Sequence, residues 1–331
     1  SGSGAYQQNQ VVTIAANEPP PTGKTFDVWT GDTQYLSSYT IASPTVTMPA
    51  SAVTVTATWK AAAPVTAMWS DDFEVNRLAS YFEYENPTGN FLRSTDQPYT
   101  GTYSMGTSYV IGTQENGNLK LGFGKMPAGF TQVDGGTNIY RYVKVSFRHY
   151  ISSPWTHNSS NVKCFRMNVF HNSSWAQAAV GHIWSGGANN YRLTLDPASG
   201  TTTAGVLQTT TWNDTANFRW LGVTTGTAEI FNPTNAGQWY FIEIEMKLND
   251  PGVLNGEFRL WVNGVVDAES TGLNWLGNYQ TYGINAVSLE TYWNNGAPAV
   301  QQRYFDDFTV QTSQASVPAG DPGMSSMLFI G

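Results

Sequence analysis

Apolar and polar residues alternate along much of the chain, which is the pattern of β-strands with one buried face. The clearest stretch is 239–248, where apolar residues take every second position and charged residues lie between them: Ile242, Ile244, Met246 and Leu248, then Glu243, Glu245 and Lys247. Such a strand packs one side on a core and exposes the other to water. The pattern therefore predicts antiparallel strands.

Residues 1–60 form one small predicted unit of short strands. The strand patterns fall at 11–15, 26–30, 45–49 and 53–59, with breaks at Pro19-Pro20-Pro21-Thr22-Gly23 and at Gly31-Asp32. Short strands in so few residues bury only a small core. Residues 61–66 are predicted to be a linker.

The larger predicted domain covers residues 67–311. Its strand patterns are separated by turn sequences such as Asn116-Gly117, Asp134-Gly135-Gly136 and Asn263-Gly264. The predicted strands are 67–73, 103–111, 118–123, 140–151, 161–170, 176–184, 191–195, 239–248, 258–266, 284–292 and 304–310. This many antiparallel strands in one domain indicate a two-sheet sandwich. The predicted fold class is all-β.

The composition agrees with an all-β fold and argues against a nucleic-acid partner and a membrane span. Charged residues make up 12% of the chain and aromatic residues 14%. Helices favour Glu, Lys and Arg, whereas strands favour β-branched and aromatic residues, so these fractions favour strands. Because the net charge is −8 and no basic cluster is present, nucleic acid is not an expected partner. No apolar run is long enough for a membrane span. The one cysteine, Cys164, lies in a strand pattern and is expected to be a packed thiol.

The first unit resembles a known bacterial repeat. The resemblance rests on four phrases: Ser1-Gly2-Ser3-Gly4-Ala5-Tyr6, Val11-Val12-Thr13-Ile14, Phe26-Asp27-Val28-Trp29-Thr30-Gly31-Asp32 and Thr45-Val46-Thr47-Met48-Pro49-Ala50-Ser51. They are similar to the divergent internalin-type B repeat, a small β-grasp-like module. The resemblance implies a secreted protein at the bacterial cell surface with a spacer or adhesive role, and it carries over no catalytic residue. Members usually place an apolar strand before the Gly-Ser turn, and this chain begins at the turn.

The second domain resembles the concanavalin A-like lectin/glucanase jelly rolls. The motifs that carry this likeness are Trp69-Ser70-Asp71-Asp72-Phe73-Glu74, Gly237-Gln238-Trp239-Tyr240 and Tyr304-Phe305-Asp306-Asp307-Phe308-Thr309-Val310. The resemblance implies a large antiparallel jelly-roll sandwich. This fold hosts lectins, glycoside hydrolases, polysaccharide lyases and structural domains, so it does not choose among functions.

The C-terminal tail, 312–331, is predicted to supply the strand that the first unit lacks. The candidate donor strand is 324–331, with apolar residues Met324, Met327, Leu328, Phe329 and Ile330. If this segment of one copy lies before the Gly-Ser turn of another copy, it takes the place of the family's apolar strand. The residues of that turn are Ser1, Gly2, Ser3, Gly4 and Tyr6. A head-to-tail contact of this kind does not close, so the expected partners are further copies in a filament. The alternative is that the tail docks on its own domain.

The two Asp-Asp-Phe motifs are candidates for a cation site. The first and last strands of such sandwiches often pair, which would bring together Asp71, Asp72, Asp306 and Asp307. Clustered carboxylates repel one another, and a structural Ca²⁺ with oxygen ligands would relieve the repulsion. The alternative is that these carboxylates face solvent while Phe73 and Phe308 fill the core.

Aromatic residues in loops suggest a polysaccharide partner. Sugar faces stack on exposed rings, and sugar hydroxyls bond to nearby amides. The candidate rings, each in a loop with Asn nearby, are Trp155, Trp175, Trp275 and Trp293. The alternative is that most of the tryptophans belong to the core.

No catalytic residue is predicted, although two enzyme chemistries deserve comparison. The pair Glu243 and Glu245 has a spacing near the inverting glycosidase range, but a jelly-roll glucanase pattern would end on Leu248, which cannot act as acid or base. A polysaccharide lyase needs a Tyr or His base and a cation, and residues of these types are Arg148, His149, Tyr150, Arg166, His171 and His182.

The expected function is a non-enzymatic structural or adhesive subunit of a bacterial surface fibre, with glycan contacts on the jelly roll. The alternatives are a monomeric secreted carbohydrate-binding protein and, third, a polysaccharide lyase or glycoside hydrolase.

Overall fold

The chain forms two compact units, Ser1–Pro64 and Val65–Gly331. The computed structural model describes residues 4–16, 24–39, 44–61, 65–158, 161–186 and 191–313. None of the helices in these residues is long and apolar enough to cross a membrane. The helices are single 3-10 turns, at Thr33–Tyr35, Leu78–Ser80, Thr215–Asn217 and Pro233–Asn235.

The described part of the first unit consists of two antiparallel strand pairs. The strands are β1 (Val11–Thr13), β2 (Lys24–Gly31), β3 (Thr45–Thr47) and β4 (Val55–Ala61), and β1 pairs with β3 while β2 pairs with β4. Trp29 and Val46 are buried at the centre of a small core, with Phe26 and Trp59 packed against them. Phe26, Trp29 and Trp59 come from the β2–β4 pair, whose register shifts between Phe26 and Trp29, and Val46 comes from β3.

The second unit contains a first large antiparallel sheet, here sheet I. Its strands are β5 (Val65–Asp71), β7 (Phe91–Ser94), β8 (Ser104–Ser108), β10 (Tyr142–Ile151), β16 (Trp239–Lys247), β17 (Gly256–Val262), β18 (Val265–Leu273) and β20 (Gln302–Ser313). They lie in the order β18-β17-β16-β10-β20-β8-β7, and β5 pairs with β20 beside this path. The first and last strands of the unit are therefore neighbours.

The second antiparallel sheet of this unit, sheet II, carries more of the buried polar residues than sheet I. Its strands are β6 (Glu83–Glu85), β9 (Asn118–Gly122), β11 (Val162–Phe170), β12 (Gln177–Ser185), β13 (Thr194–Ser199), β14 (Arg219–Trp220), β15 (Thr224–Thr225) and β19 (Ala286–Glu290). They lie in the order β14-β13-β12-β11-β19-β9-β6, and β15 pairs with β13.

The core lies between the two sheets, and the alternation in the sequence explains it. In β16, Ile242, Ile244 and Met246 are buried and the residues between them are partly exposed. Across the layer, the ring of Phe147 in sheet I stacks on Phe165 of sheet II at 5.6 Å. The prediction of an all-β jelly-roll sandwich is confirmed.

One predicted strand is in fact a hairpin. The pattern at 258–266 predicts one strand, whereas β17 ends at Val262 and β18 begins at Val265. The turn residues Asn263 and Gly264 have φ values of 52° and 79°. Because both central residues need positive φ in this type of two-residue turn, Asn-Gly reverses the chain here. The apolar residues that follow belong to the returning strand.

Sheet II differs from sheet I on its outer face. Every residue of β19 is buried, and so is nearly every residue of β11 and β12. The outer face of sheet II is therefore not exposed to solvent, because its polar side chains are buried. This face holds the candidate site.

Candidate functional site

A row of polar side chains crosses the outer face of sheet II, and we call it the polar row. Each member pairs directly with the next across neighbouring strands, so that all six lie on one face: Asp196, His182, Arg166, Ser288, Lys120 and Glu83. Residues opposite one another in an antiparallel ladder share a face. At a strand spacing of about 4.8 Å, the row spans about 24 Å.

Four members of the polar row, Asp196, His182, Arg166 and Lys120, lie on the floor of a cleft of about 650 Å³. Its walls are built by residues from the strands and from the loops after β8, β13 and β19. The lining residues are Glu85, Glu115, Gly117, Asn118, Lys120, Asn161, Lys163, Arg166, His182, Trp184, Asp196, Trp212, Asn213, Thr215, Trp220, Glu290, Tyr292 and Asn294. Cations, carboxylates, amides and aromatic rings thus line one cleft, which is the composition of a site for a polar ligand.

Arg166 is held by a buried ion pair at the centre of the floor. Its Nε lies 2.9 Å from the carboxylate of Glu290, and both side chains are more than nine-tenths buried. Its Nη1 donates a hydrogen bond of 2.7 Å to Oδ1 of Asn213. The guanidinium also lies 4.8 Å from the ring centroid of Trp212. Arg166 is therefore fixed in position and already has its counterion.

Lys120 is the second cation on the floor, and it too is paired. Its ammonium donates to Glu83 and lies 3.7 Å from the carboxylate of Glu85. The rings of Trp175 and Trp212 lie 4.8 and 5.4 Å from the same nitrogen. Burial lowers the pKa of Lys120 to about 8. Lys120 remains mostly charged at neutral pH, with its charge matched by acidic residues.

Lys163 and His182 differ from these paired groups. Lys163 takes part in none of the ion pairs of the described chain. Burial, followed by the charge of Arg166, lowers its pKa, and the more distant charges of Glu290 and Asp196 act in the opposite direction. Burial holds the pKa of His182 well below its usual range, with further contributions from Arg166 and Lys163. Nε2 of His182 is buried and has no hydrogen-bond partner among the described residues. The floor therefore offers one unpaired cation and one neutral imidazole.

Carboxyl groups gather at the side of the cleft near β6 and β9. Partial burial raises the pKa of Glu115 to about 7, and the neighbouring charges of Glu85 and Glu290 act in the same direction. At the opposite end of the polar row, on β13, burial also raises the pKa of Asp196, whose Oδ2 accepts a hydrogen bond of 3.1 Å from Nε1 of Trp184. These carboxyls bind protons more tightly than isolated ones, so the charge of the cleft changes near neutral pH.

Aromatic rings form the walls of the cleft, and none of them was predicted from the sequence as a site residue. They are Trp184, Trp212, Trp220 and Tyr292. Trp220 is 47% exposed, so its face is open to a ligand. The signal for Tyr292 was present in the sequence, because it continues the alternation of Ser288 and Glu290 onto the cleft face. The rings suit stacking on sugar faces.

Three of the four predicted glycan-binding tryptophans lie in the core instead. Trp155, Trp275 and Trp293 have exposed fractions of 2%, 0% and 0%. Trp293 packs against Tyr109 at 5.5 Å, and Trp275 packs against Phe258 at 5.7 Å. Rings with no exposed face cannot stack on a sugar at the surface, so these residues act in packing.

Trp175 lies beside the cleft without lining it. It is half-buried in an aromatic cluster with Phe130 and Trp212, at centroid distances of 5.3 and 5.9 Å. Lys120 lies 4.8 Å from its ring centroid. Trp175 therefore supports a cation of the floor, and its role in glycan binding stays a prediction.

The four aspartates proposed for Ca²⁺ lie on neighbouring strands, since β5 pairs with β20. Their carboxylates accept hydrogen bonds from nearby backbone and, for Asp306 and Asp307, from the distant residues Tyr99 and Thr100. Asp71 accepts from Phe73 N and Tyr81 Oη, Asp72 from Glu74 N, Asp306 from Tyr99 N, Thr100 N and Asp307 N, and Asp307 from Thr100 Oγ1.

Burial raises the pKa of Asp71, and it raises that of Asp306 to about 6. In the described residues, no three His, Cys, Asp or Glu side chains are arranged to hold a metal. The Ca²⁺ site stays a prediction, and a melting temperature that EDTA leaves unchanged would remove it.

Most of the proposed assembly residues lie outside the described residues. These are Ser1, Gly2, Ser3, Met324, Met327, Leu328, Phe329 and Ile330. Gly4 and Tyr6 are described, and they line an apolar groove of about 550 Å³ in the first unit. Ile14, Trp29 and Trp59 line the same groove.

The enzyme candidates from the sequence separate into two groups. Arg166 and His182 meet in the cleft, directly opposite one another on β11 and β12. The others lie elsewhere: Arg148, Tyr150, Glu243 and Glu245 on the outer face of sheet I, His149 in the core, and His171 beside Thr209. Glu243 and Glu245 pair with Lys144 and Arg259 at 2.7 and 3.2 Å. The arrangement on sheet I is that of a charged outer face.

The first unit matches a known family. Residues 1–63 match the family model of the divergent InlB B-repeat domain. This confirms the resemblance to the internalin-type B repeat that the sequence predicts. No curated protein matches the chain in sequence.

Two solved structures share the sandwich architecture. The endo-β-1,4-glucuronan lyase from the fungus Trichoderma reesei has a TM-score of 0.54 at 13% identity, and the match covers 76% of this chain and 98% of that chain. The PL-14 alginate lyase from Aplysia kurodai has a TM-score of 0.52 at 11% identity, and the match covers 75% of this chain and 99% of that chain. At these identities the likeness shows the fold alone.

Proposed function

We propose that the protein is an extracellular polysaccharide-binding protein whose cleft on sheet II holds a sugar chain that bears carboxylates. The observation that carries this proposal is Lys163, which lines the cleft together with the neutral His182. Arg166 and Lys120 have carboxylate partners, whereas Lys163 makes no ion pair in the described chain. A ligand carboxylate would give Lys163 a counterion, and charge-assisted hydrogen bonds of this kind are the strong ones.

Further features support the same proposal. Trp220 and Tyr292 provide rings for sugar faces, and Asn161 and Asn294 provide amides for hydroxyls. The B-repeat match at residues 1–63 supports an extracellular location at the bacterial surface. The two lyases of similar fold act on glucuronan and alginate. We further assign the sandwich to the concanavalin A-like lectin/glucanase group, on the Asp-Asp-Phe motifs at its two ends.

Replacing Lys163 should weaken polysaccharide binding. In Lys163→Gln, we expect the affinity for alginate or polyglucuronate to fall about tenfold or more, since a hydrogen bond to a charged group contributes about 1.5–3 kcal/mol. Isothermal titration with oligosaccharides of each polymer measures the change. The matched control is Lys144→Gln on sheet I, where Lys144 pairs with Glu243 at 2.7 Å. Equal binding of a neutral β-glucan, or an equal loss in the control, would contradict the proposal.

The binding should also depend on pH through Glu115. Because its pKa is raised to about 7, Glu115 gains a proton as the pH falls from about 7.5 to about 6, and the cleft loses negative charge. We therefore expect a higher affinity for alginate at the lower pH. His182 does not contribute, since its pKa lies well below this range. In Glu115→Gln most of the dependence should disappear, whereas Glu243→Gln should retain it.

The neutral state of His182 favours a second candidate, polysaccharide β-elimination. His182 Nε2 would take the proton from the carbon that bears the sugar carboxylate. Lys163 would stabilise the negative charge that develops on that carboxylate. The glycosidic C–O bond would then break, a C=C bond would form, and the leaving oxygen would take a proton from water. New ultraviolet absorbance from unsaturated ends, lost in His182→Gln while binding persists, would support an enzyme. Binding without absorbance in the native protein leaves binding alone.

Assembly through the first unit is a further proposal, which the apolar groove supports. The groove at Gly4 and Tyr6 has the lining that an apolar β-strand needs, and the segment 324–331 of another copy is the proposed occupant. Filaments in negative-stain images of the full chain that vanish in Phe329→Asp and persist in Ser326→Asp would support it. Filaments in both variants, or in neither variant nor the native chain, would contradict it.

A further inference from the structure

Arg303 of β20 is a cation enclosed between the two sheets. Its side chain is 0% exposed. Its Nε donates to Nε2 of His149 at 3.0 Å, and its Nη1 donates to Tyr109 Oη at 2.9 Å and to the backbone carbonyl of Lys163 at 3.1 Å. Its guanidinium lies 5.5 Å from the ring centroid of Phe231. Every one of these acceptors is uncharged.

None of the neighbouring groups supplies a counterion. Burial raises the pKa of Tyr109 to about 12 and that of the Cys164 thiol to about 11, so both groups are neutral. Glu290 offers Arg303 only its backbone carbonyl, because its carboxylate pairs with Arg166 in the cleft. An enclosed guanidinium without an anion is strongly unfavourable. The described chain therefore contains a buried positive charge that its own side chains do not balance.

Hydrogen-bond donors without partners belong to side chains that pack on the same ring as Arg303. Nη2 of Arg303, Nε1 of Trp155 and both ring nitrogens of His157 are buried and have no partner among the described residues. The rings of Trp155 and His157 lie 5.6 and 5.5 Å from Phe231, the residue that Arg303 also contacts. Trp Nε1 and the guanidinium can only donate, and one nitrogen of a neutral imidazole can also donate. A group that accepts from all three and also balances the charge of Arg303 is an anion.

We propose that this part of the core binds a small inorganic anion, of which chloride is the most abundant, between Arg303, Trp155 and His157. The anion balances the charge of Arg303 and accepts hydrogen bonds from the three side chains. The site lies between the sheets and is separate from the cleft on the outer face of sheet II. Its role is to stabilise the sandwich, because an anion that binds only the folded state raises its stability by mass action.

The test compares chloride with gluconate at constant ionic strength, using the full chain. We expect sodium chloride to raise the melting temperature by about 2–4 °C over sodium gluconate, which corresponds to about 1 kcal/mol for a domain of this size. In Trp155→Phe, which keeps a ring and removes the donor, the chloride effect should be lost. Trp275→Phe is the matched control, since Trp275 is also buried with an unpartnered Nε1 but packs on Phe258.

A direct measurement keeps the proposal testable if Trp155→Phe does not fold. In crystals of the native protein grown with bromide, anomalous diffraction should place a bromide ion within hydrogen-bond distance of Arg303 Nη2. Water molecules alone at that position would overturn the proposal. An equal chloride effect in Trp155→Phe and Trp275→Phe, or no effect in the native protein, would also overturn it.

Discussion

Trp293→Ala is expected to lower the free energy of unfolding by about 3–5 kcal/mol, the usual cost of removing a large buried ring. Trp293 is 0% exposed and packs between Tyr109 and Trp155 at 5.5 and 5.7 Å. Its Nε1 also donates a hydrogen bond of 3.1 Å to Asn158. The substitution removes these contacts and leaves a cavity that the surrounding sheets cannot fill. Urea denaturation of the full chain measures the loss.

Trp220→Ala is the matched control for this prediction. Trp220 is 47% exposed in the cleft, so its removal should change the stability by less than about 1 kcal/mol. The same substitution should weaken polysaccharide binding, because it removes a ring from the cleft wall. A Trp293→Ala protein as stable as the native one would show that Trp293 is not part of the core. It would also return Trp293 to the list of glycan-binding candidates.

The second large effect is expected at the buried ion pair of the cleft. Arg166→Met should destabilise the protein by about 3–5 kcal/mol, because it removes the cation that is hydrogen-bonded to the buried Glu290 carboxylate. The two side chains are 6% and 8% exposed and lie 2.9 Å apart. Chemical denaturation at neutral pH measures the change. The reverse variant, Glu290→Leu, should have a similar cost, since it leaves Arg166 uncompensated.

The double variant tests whether Arg166 and Glu290 stabilise the protein as a coupled pair or as two independent side chains. In Arg166→Met/Glu290→Leu, neither charge remains, so we expect most of the lost stability to return. Costs that simply add in the double variant would contradict the assignment of a coupled pair. The matched surface pair is Arg192 and Glu229, whose side chains are 44% and 34% exposed. Removal of Arg192 should change the stability by less than about 1 kcal/mol.

These two predictions separate the roles of the two faces of sheet II. The inner face, with Trp293 and Phe165, stabilises the sandwich through packing. The outer face, with Arg166 and Glu290, keeps polar groups buried at a cost that packing elsewhere must offset. Buried charged groups in a cleft mark a candidate site, and Lys163, which makes no ion pair in the described chain, is the basis of the proposed polysaccharide cleft.

The alternation of apolar and polar residues along the chain was sufficient to predict some of the strands. The alternation at 239–248 correctly identified the buried residues of β16, because successive side chains of a strand point to opposite faces. The Asn263-Gly264 turn was also present in the sequence, although the predicted strand ran through it. Residues 1–63 match the divergent InlB B-repeat model, as the phrases in that segment indicated.

The same local pattern was insufficient for the site. Alternation separates Tyr292 from Trp293 but does not say which of them faces the core of a sandwich and which faces a cleft. The prediction chose Trp293 because it lies in a polar loop sequence. The structure places it in the core because the chain after β19 continues the face that Leu289 buries.

The sequence by itself determined that this protein is all-β, that its first unit resembles the divergent InlB B-repeat and that its larger part is a sandwich, since these properties follow from composition and from neighbours along the chain. Only the tertiary structure decided where the polar row lies. Its members Lys120, Arg166 and Ser288 come from strands far apart in sequence, and the order β11-β19-β9 makes them neighbours. Strand order and register depend on long-range packing, so no local pattern could place a cation, an imidazole and a carboxylate in one cleft.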